Sequence, residues 1–167
     1  MRPSERDLRF IAHLADLMHG QARAALAGSL GKPPGAALQA VRWLAPWTRS
    51  LEGREFALHH LVAALYASHP AQATGGPSTG AGPAGNLGAT MRHLARKRGR
   101  TPTLEQRFVA LLEADAEEVG EHLRRVVSLA READIPLDWA QLLTDVSYVK
   151  SIMATRSASF VRDGCLE

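Results

Sequence analysis

Apolar residues recur along this chain at three- and four-residue intervals, and Gly and Pro separate the stretches in which they do so. Leu8, Ile11, Leu14, Ala15 and Met18 form the first stripe. Ser4 precedes it as an N-cap, and Asp7 is placed to answer the first-turn amides. Gly20 punctuates this helix. A second is expected over Ala22–Leu30, ended by Gly31 and the rigid turn Lys32-Pro33-Pro34-Gly35. Ala37, Val41, Trp43 and Leu44 predict a third helix, stopped by Pro46, and after Gly53 the residues Phe56, Leu61, Val62, Leu65 and Tyr66 predict a strongly apolar fourth.

Between 69 and 86 the pattern stops. Five glycines and three prolines among eighteen residues, with no large apolar side chain, predict a mobile loop and a domain boundary. Beyond it Leu87, Met91, Leu94 and Ala95 mark a fifth helix, from Leu87 to about Lys97. The sixth starts at Thr101-Pro102 or at Thr103 with Gln106, and carries Leu104, Phe108, Leu111 and Leu112. Asp115 with Glu118, and Asp138 with Gln141, are further start signals. They precede the stripes Val119, Leu123, Val126, Val127, Ala130 and Trp139, Leu142, Leu143, Val146, Val149. No alternating strand pattern or repeat period competes. The expected fold is all-α, a helical bundle of about seven to nine helices in two packed halves, 1–68 and 87–167, joined by the 69–86 loop.

Composition narrows the class without naming a function. An apolar fraction of 46% and a charged fraction of 22% are ordinary for a folded domain, and few aromatics with much Ala, Leu and Arg favour helices. No apolar run reaches the length of a membrane span. The N-terminus has no apolar signal core, and the single cysteine, Cys165, forms no internal disulfide or multi-cysteine zinc site. The expected location is the cytoplasm.

Charge changes the picture more. Residues 1–68 hold eight Lys/Arg against five Asp/Glu, residues 69–110 six against one, and residues 111–167 six against eleven. Five of the ten residues in Met91–Arg100 are basic (Arg92, Arg96, Lys97, Arg98, Arg100) and none is acidic. No acidic neighbour lies within reach along that helix, so intrahelical pairing does not account for the run. Glu121 and Arg125, by contrast, have the favourable i, i+4 spacing, which marks Arg125 as structural and leaves Arg124 and Arg131 open. Lys32, Arg107, Lys150 and Arg156 are isolated candidates. A basic run is either a solvated face or the footprint of a polyanion; contact through phosphates, without base reading, is the natural mode for arginines with few aromatics nearby.

Catalytic signals are weak. The seven histidines fall in no metal-ligand pattern, and neither a nucleophile elbow nor a phosphate-binding Gly-Lys-Ser/Thr loop occurs. Asp115, Glu117, Glu118 and Glu121 resemble a nuclease carboxylate cluster, but their crowding at a helix start is explained by capping and the helix dipole. No catalytic residue, metal or cofactor is expected, and no small-molecule substrate.

Three stretches together resemble a known family: Ala22–Trp47 with its Pro-Pro-Gly turn, LVAALYASHP at Leu61–Pro70, and Arg107–Val146 with R-F-x-x-L-L-x-A-D and I-P-L-D-W. In this order and spacing they are similar to the small subunit of the type I-E CRISPR Cascade surveillance complex, the CasB family. The resemblance implies an all-helical, non-catalytic protein that assembles as two copies with the other Cascade subunits. It implies a basic surface that stabilises the R-loop of crRNA and target DNA, including the displaced strand. Arg107 falls in the matching R-F motif, and Arg124 and Arg125 in the matching H-L-R-R segment. The long loop at 69–86 departs from the family's pattern. The candidate nucleic-acid contacts are thus Arg92, Arg96, Lys97, Arg98, Arg100, Arg107, Arg124, Arg125, Lys32 and Lys150. A purely structural adaptor, whose basic stretch meets an acidic protein face, is the alternative.

Overall fold

In a computed structural model the chain is described over residues 2–33, 36–69, 86–99, 101–114 and 118–148. These residues form eight helices and no strand. They are α1 (Glu5–Asp16), α2 (Gly20–Ala27), α3 (Leu38–Thr48), α4 (Gly53–Ala67), α5 (Leu87–Arg98), α6 (Pro102–Glu113), α7 (Val119–Glu132) and α8 (139–148). All but two residues of the 69–86 stretch, and the residues beyond 148 that include Val149, Lys150 and Arg156, lie outside the described residues.

The expected start signals are made as hydrogen bonds. The Ser4 hydroxyl accepts from the Asp7 amide and the Asp7 carboxylate accepts from the Ser4 amide, each at 3.1 Å, a reciprocal box on α1. Of the two possible starts for α6 the chain uses Thr101, whose hydroxyl accepts from the Leu104 amide, with Pro102 in the first turn. The Asp138 carboxylate accepts from the Gln141 amide at 3.0 Å and opens α8. Glu118 is the N-cap residue of α7 and makes no side-chain cap bond, while Asp115 lies outside the described residues.

Three boundaries differ from the sequence reading. Gly20 begins α2 instead of only ending α1: its φ of +59° lets the chain reverse there. α2 itself stops at Ala27, three residues early, because the Ser29 hydroxyl bonds back to the Leu26 carbonyl and draws the chain into a turn. Pro46 sits inside α3. Its missing amide forfeits one bond, but burial of the next two side chains offsets that loss (Trp47 meets Phe10 edge-on at 6.4 Å, and Thr48 is buried with its hydroxyl on the Leu44 carbonyl).

α4 is the hub. It is apolar on nearly every side and buries Leu58, Val62, Ala63, Leu65 and Tyr66 among others, as a helix enclosed by neighbours must. α1, α2, α3 and α7 all pack on it. α7 in turn carries α5 and α6, and Val119, Leu123, Val126, Val127 and Ala130 are all buried, as their spacing predicts. One core cluster, from Phe10 to Val146, joins the two helical stretches. Five expected core residues among those described are not in it: Val41, Trp43 and Phe56 are only half-buried, and Leu8 is 45% and Leu112 43% exposed, because each lies at the edge of a stripe wider than the face its helix buries. No described helix is long and apolar enough to cross a membrane.

Candidate nucleic-acid interface

The basic helix α5 is fixed at both ends. At its start the Asn86 side chain accepts from the Ala89 amide at 2.9 Å, and the Asp145 carboxylate of α8 accepts from the Leu87 amide at 2.8 Å. Gln141 steadies that carboxylate through a 2.7 Å bond. At the other end Arg98 pairs with Glu132 of α7 at 2.9 Å, and the Lys97 ammonium donates to the carbonyl of Ala133, the C-cap of α7. A cation there meets the negative end of the α7 dipole. Two of the five basic residues in the run are therefore engaged with α7, partners more than thirty residues away that spacing along one helix cannot reveal.

Arg92 and Arg96 remain. They are exposed, one turn apart, and form no ion pair among the described residues. With Glu105 of α6 they border a groove of about 460 Å³ between α5 and α6 whose floor is Met91, Ala95, Leu104 and Phe108. Arg107 is exposed on α6 but does not line this groove. Arg100 and Lys150 lie outside the described residues.

A second concentration of cations lies where the turn after α2 meets α4 and α7. Lys32 from the turn, Arg54 from α4 and Arg124 from α7 line one cleft of about 400 Å³, together with Glu121 and the buried His60. Arg124 also lines an adjoining cavity of about 270 Å³ with Arg125 and Arg131. Five cations from three separated segments thus border two neighbouring hollows, and Glu121 is the one carboxylate among the described lining residues. Glu121 pairs with Arg124 at 3.3 Å, not with Arg125 as the i, i+4 spacing suggests. The cause is local: Gly31 has φ +80° and no side chain, and Arg124 Nη1 lies 3.2 Å from where a Cβ would stand, so the guanidinium has room to lean toward the turn and Glu121 follows it. Arg125 is left without an ion pair among the described residues.

Sequence reasoning leaves Arg54 outside its candidates and Arg131 undecided. The available signal is the i, i+4, i+7 spacing of Arg124, Ser128 and Arg131 along one face of α7. His60 and His69 are about 3% exposed, and burial pushes both below the ordinary histidine range; the Arg131 guanidinium adds to the effect at His69. Among the described residues no group of three His, Cys, Asp or Glu side chains is placed to hold a metal ion.

The described residues thus define an all-helical protein that displays two arginine-rich regions. The profile of the family "CRISPR-associated protein Cse2" matches residues 22–162. The Cse2 protein of Thermus thermophilus is 34% identical over 154 residues, covering 87% of this chain and 80% of that one. The crystal structure of M. ruber CasB superposes with a TM-score of 0.69 at 29% identity, over 84% of this chain and 82% of that one. A Cse2-family crystal structure from Thermus thermophilus gives 0.63 at 33% identity, over 83% and 84%. The chain belongs to the Cse2 family, small subunits of CRISPR systems that work within a larger effector complex.

Proposed function

We propose that this protein is a non-catalytic small subunit of a type I-E Cascade complex and holds nucleic acid by its phosphates, without reading sequence, to stabilise the R-loop. The observation that carries this reading is the gathering of Lys32, Arg54, Arg124, Arg125 and Arg131 around two adjoining hollows with a single carboxylate among the described lining residues. Tertiary folding has concentrated like charges there, at a cost in self-repulsion that a polyanion relieves. Arg92 and Arg96 add a second contact region on α5. Exchange of a DNA duplex for a guide–target duplex is nearly balanced, so modest backbone contacts tip it. Indifference to sequence is required, because any target must fit. A second copy of the chain, crRNA, target DNA and the displaced strand are the partners, in the cytoplasm.

The purified protein is expected to bind two unrelated oligonucleotides with equal affinity that falls steeply with salt. Arg92→Ala combined with Arg96→Ala lowers the slope of log affinity against log salt by about 1.4, at roughly 0.7 for each single-strand phosphate no longer neutralised. Equal affinity of wild type and variant at every salt concentration would remove α5 from the interface.

The groove beside Arg92 and Arg96 favours a second reading for that region alone. Its floor is almost wholly apolar, which suits an acidic amphipathic segment of another subunit. Under it the double variant loses complex assembly and keeps its oligonucleotide affinity.

A further inference from the structure

The cavity of about 270 Å³ between the end of α4 and the face of α7 has a composition that the packing of the fold does not require. Arg124, Arg125, Arg131, Ser68 and Ser128 line it, no carboxylate does among the described residues, and His69 forms part of its wall. His69 is 3% exposed, yet neither Nδ1 nor Nε2 has a hydrogen-bond partner among the described residues. A neutral imidazole carries one donor and one acceptor, and leaving both unmade in a buried place costs free energy that an apolar residue would avoid. Both nitrogens are closed off from solvent, so the ring must turn one of them toward the cavity before it can donate; it packs edge-on against Trp139 of α8 at 5.8 Å, and Arg131 is tied beside it by a 3.3 Å bond to the Ser68 carbonyl. The volume is below the range of about 300–1,000 Å³ that holds drug-sized ligands, and suits one oxyanion.

We infer that this cavity seats one phosphate of a nucleic-acid backbone, with His69 as its buried donor and Arg125 and Arg131 as its charged rim. The inference rests on the phosphate-contact reading above and adds a defined locus to it. Guanidinium forks match phosphate geometry, and Ser128 supplies a neutral hydroxyl at the edge. The charged and titratable groups around His69 are Arg124, Arg125 and Arg131 of α7 and Tyr66 of α4; α8 contributes the neutral Trp139. Burial, and with it the Arg131 charge, holds the proton affinity of the imidazole below the ordinary histidine range. An arriving phosphate opposes that effect, so binding draws a proton onto His69 and strengthens as pH falls.

The test follows the ring resonances of isotopically labelled histidine in the full chain as an oligothymidylate, a methylphosphonate version with an uncharged backbone, or inorganic phosphate is added. The His69 signal is expected to move with the oligothymidylate and its titration midpoint to rise, whether or not inorganic phosphate does the same. The methylphosphonate strand is expected to leave it in place. His69→Gln or Arg131→Gln weakens oligothymidylate binding about tenfold, the loss of one charge-assisted hydrogen bond, and Arg131→Lys recovers part of it. A response to inorganic phosphate alone, or an equal response to the uncharged strand, overturns the assignment. If the strand binds, responds to Arg92→Ala with Arg96→Ala, and leaves His69 unmoved, the seat is wrong and the wider reading stands. If no strand binds at low salt, both fall.

Discussion

His60 lines the cleft between the turn after α2 and α7, and its Nε2 has no hydrogen-bond partner among the described residues. Burial pushes its proton affinity down, and burial with the Arg131 charge does the same at His69. The sign of the consequence is fixed. Below the ordinary histidine pKa of about 6.5 the unfolded chain takes up protons that the folded chain refuses, so stability is full above that value and declines as pH falls toward the folded values. The thermal midpoint, measured without nucleic acid or phosphate, is expected to drop between about pH 7 and pH 5. His60→Leu flattens that drop; an unchanged pH profile in this variant would show that His60 is not the group responsible. In the sequence both histidines stand only as residues outside any metal-ligand pattern, because burial without partners is a tertiary property that no spacing carries.

Elements were legible where local chemistry decides them. The Ser4–Asp7 box, the Thr101-Pro102 start of α6, the Asp138–Gln141 start of α8 and the whole buried stripe of α7 all follow from residues within one or two turns. Pro46 defeats a local reading because Trp47 packs on Phe10 of α1, a remote contact that offsets one lost backbone bond. The fate of Lys97 and Arg98 is hidden for the same reason, since their partners belong to the end of α7. α5 owes its position to such remote contacts. Asp145→Ala frees the Leu87 amide and is expected to cost about 1–2 kcal/mol, as loss of a helix cap does, read from urea unfolding. Asp145→Asn, which keeps an acceptor, is expected to cost less. Equal stability of all three proteins would mean that α5 is held by its packing on α7 alone.

For the whole molecule, charge asymmetry and family were legible along the chain, but the surface was not. Met91–Arg100 stands out as the densest basic run, yet the fold engages Lys97 and Arg98 with α7 and leaves Arg92 and Arg96 beside an apolar groove. The larger gathering comes from single cations that look unrelated along the chain, Lys32, Arg54, Arg124, Arg125 and Arg131, brought together by the packing of α2 and α7 against α4. Within α7 the three arginines Arg124, Arg125 and Arg131 lie between Glu121 and Glu132, which sit toward the helix ends. The most direct measurement is the lifetime of an R-loop held by a reconstituted complex that carries Arg125→Ala with Arg131→Ala in this subunit. The complex is expected to assemble with normal stoichiometry and to release its target about ten- to a hundredfold faster, as the removal of two phosphate-binding side chains implies. Normal assembly with an unchanged lifetime would contradict a role for this surface in holding nucleic acid.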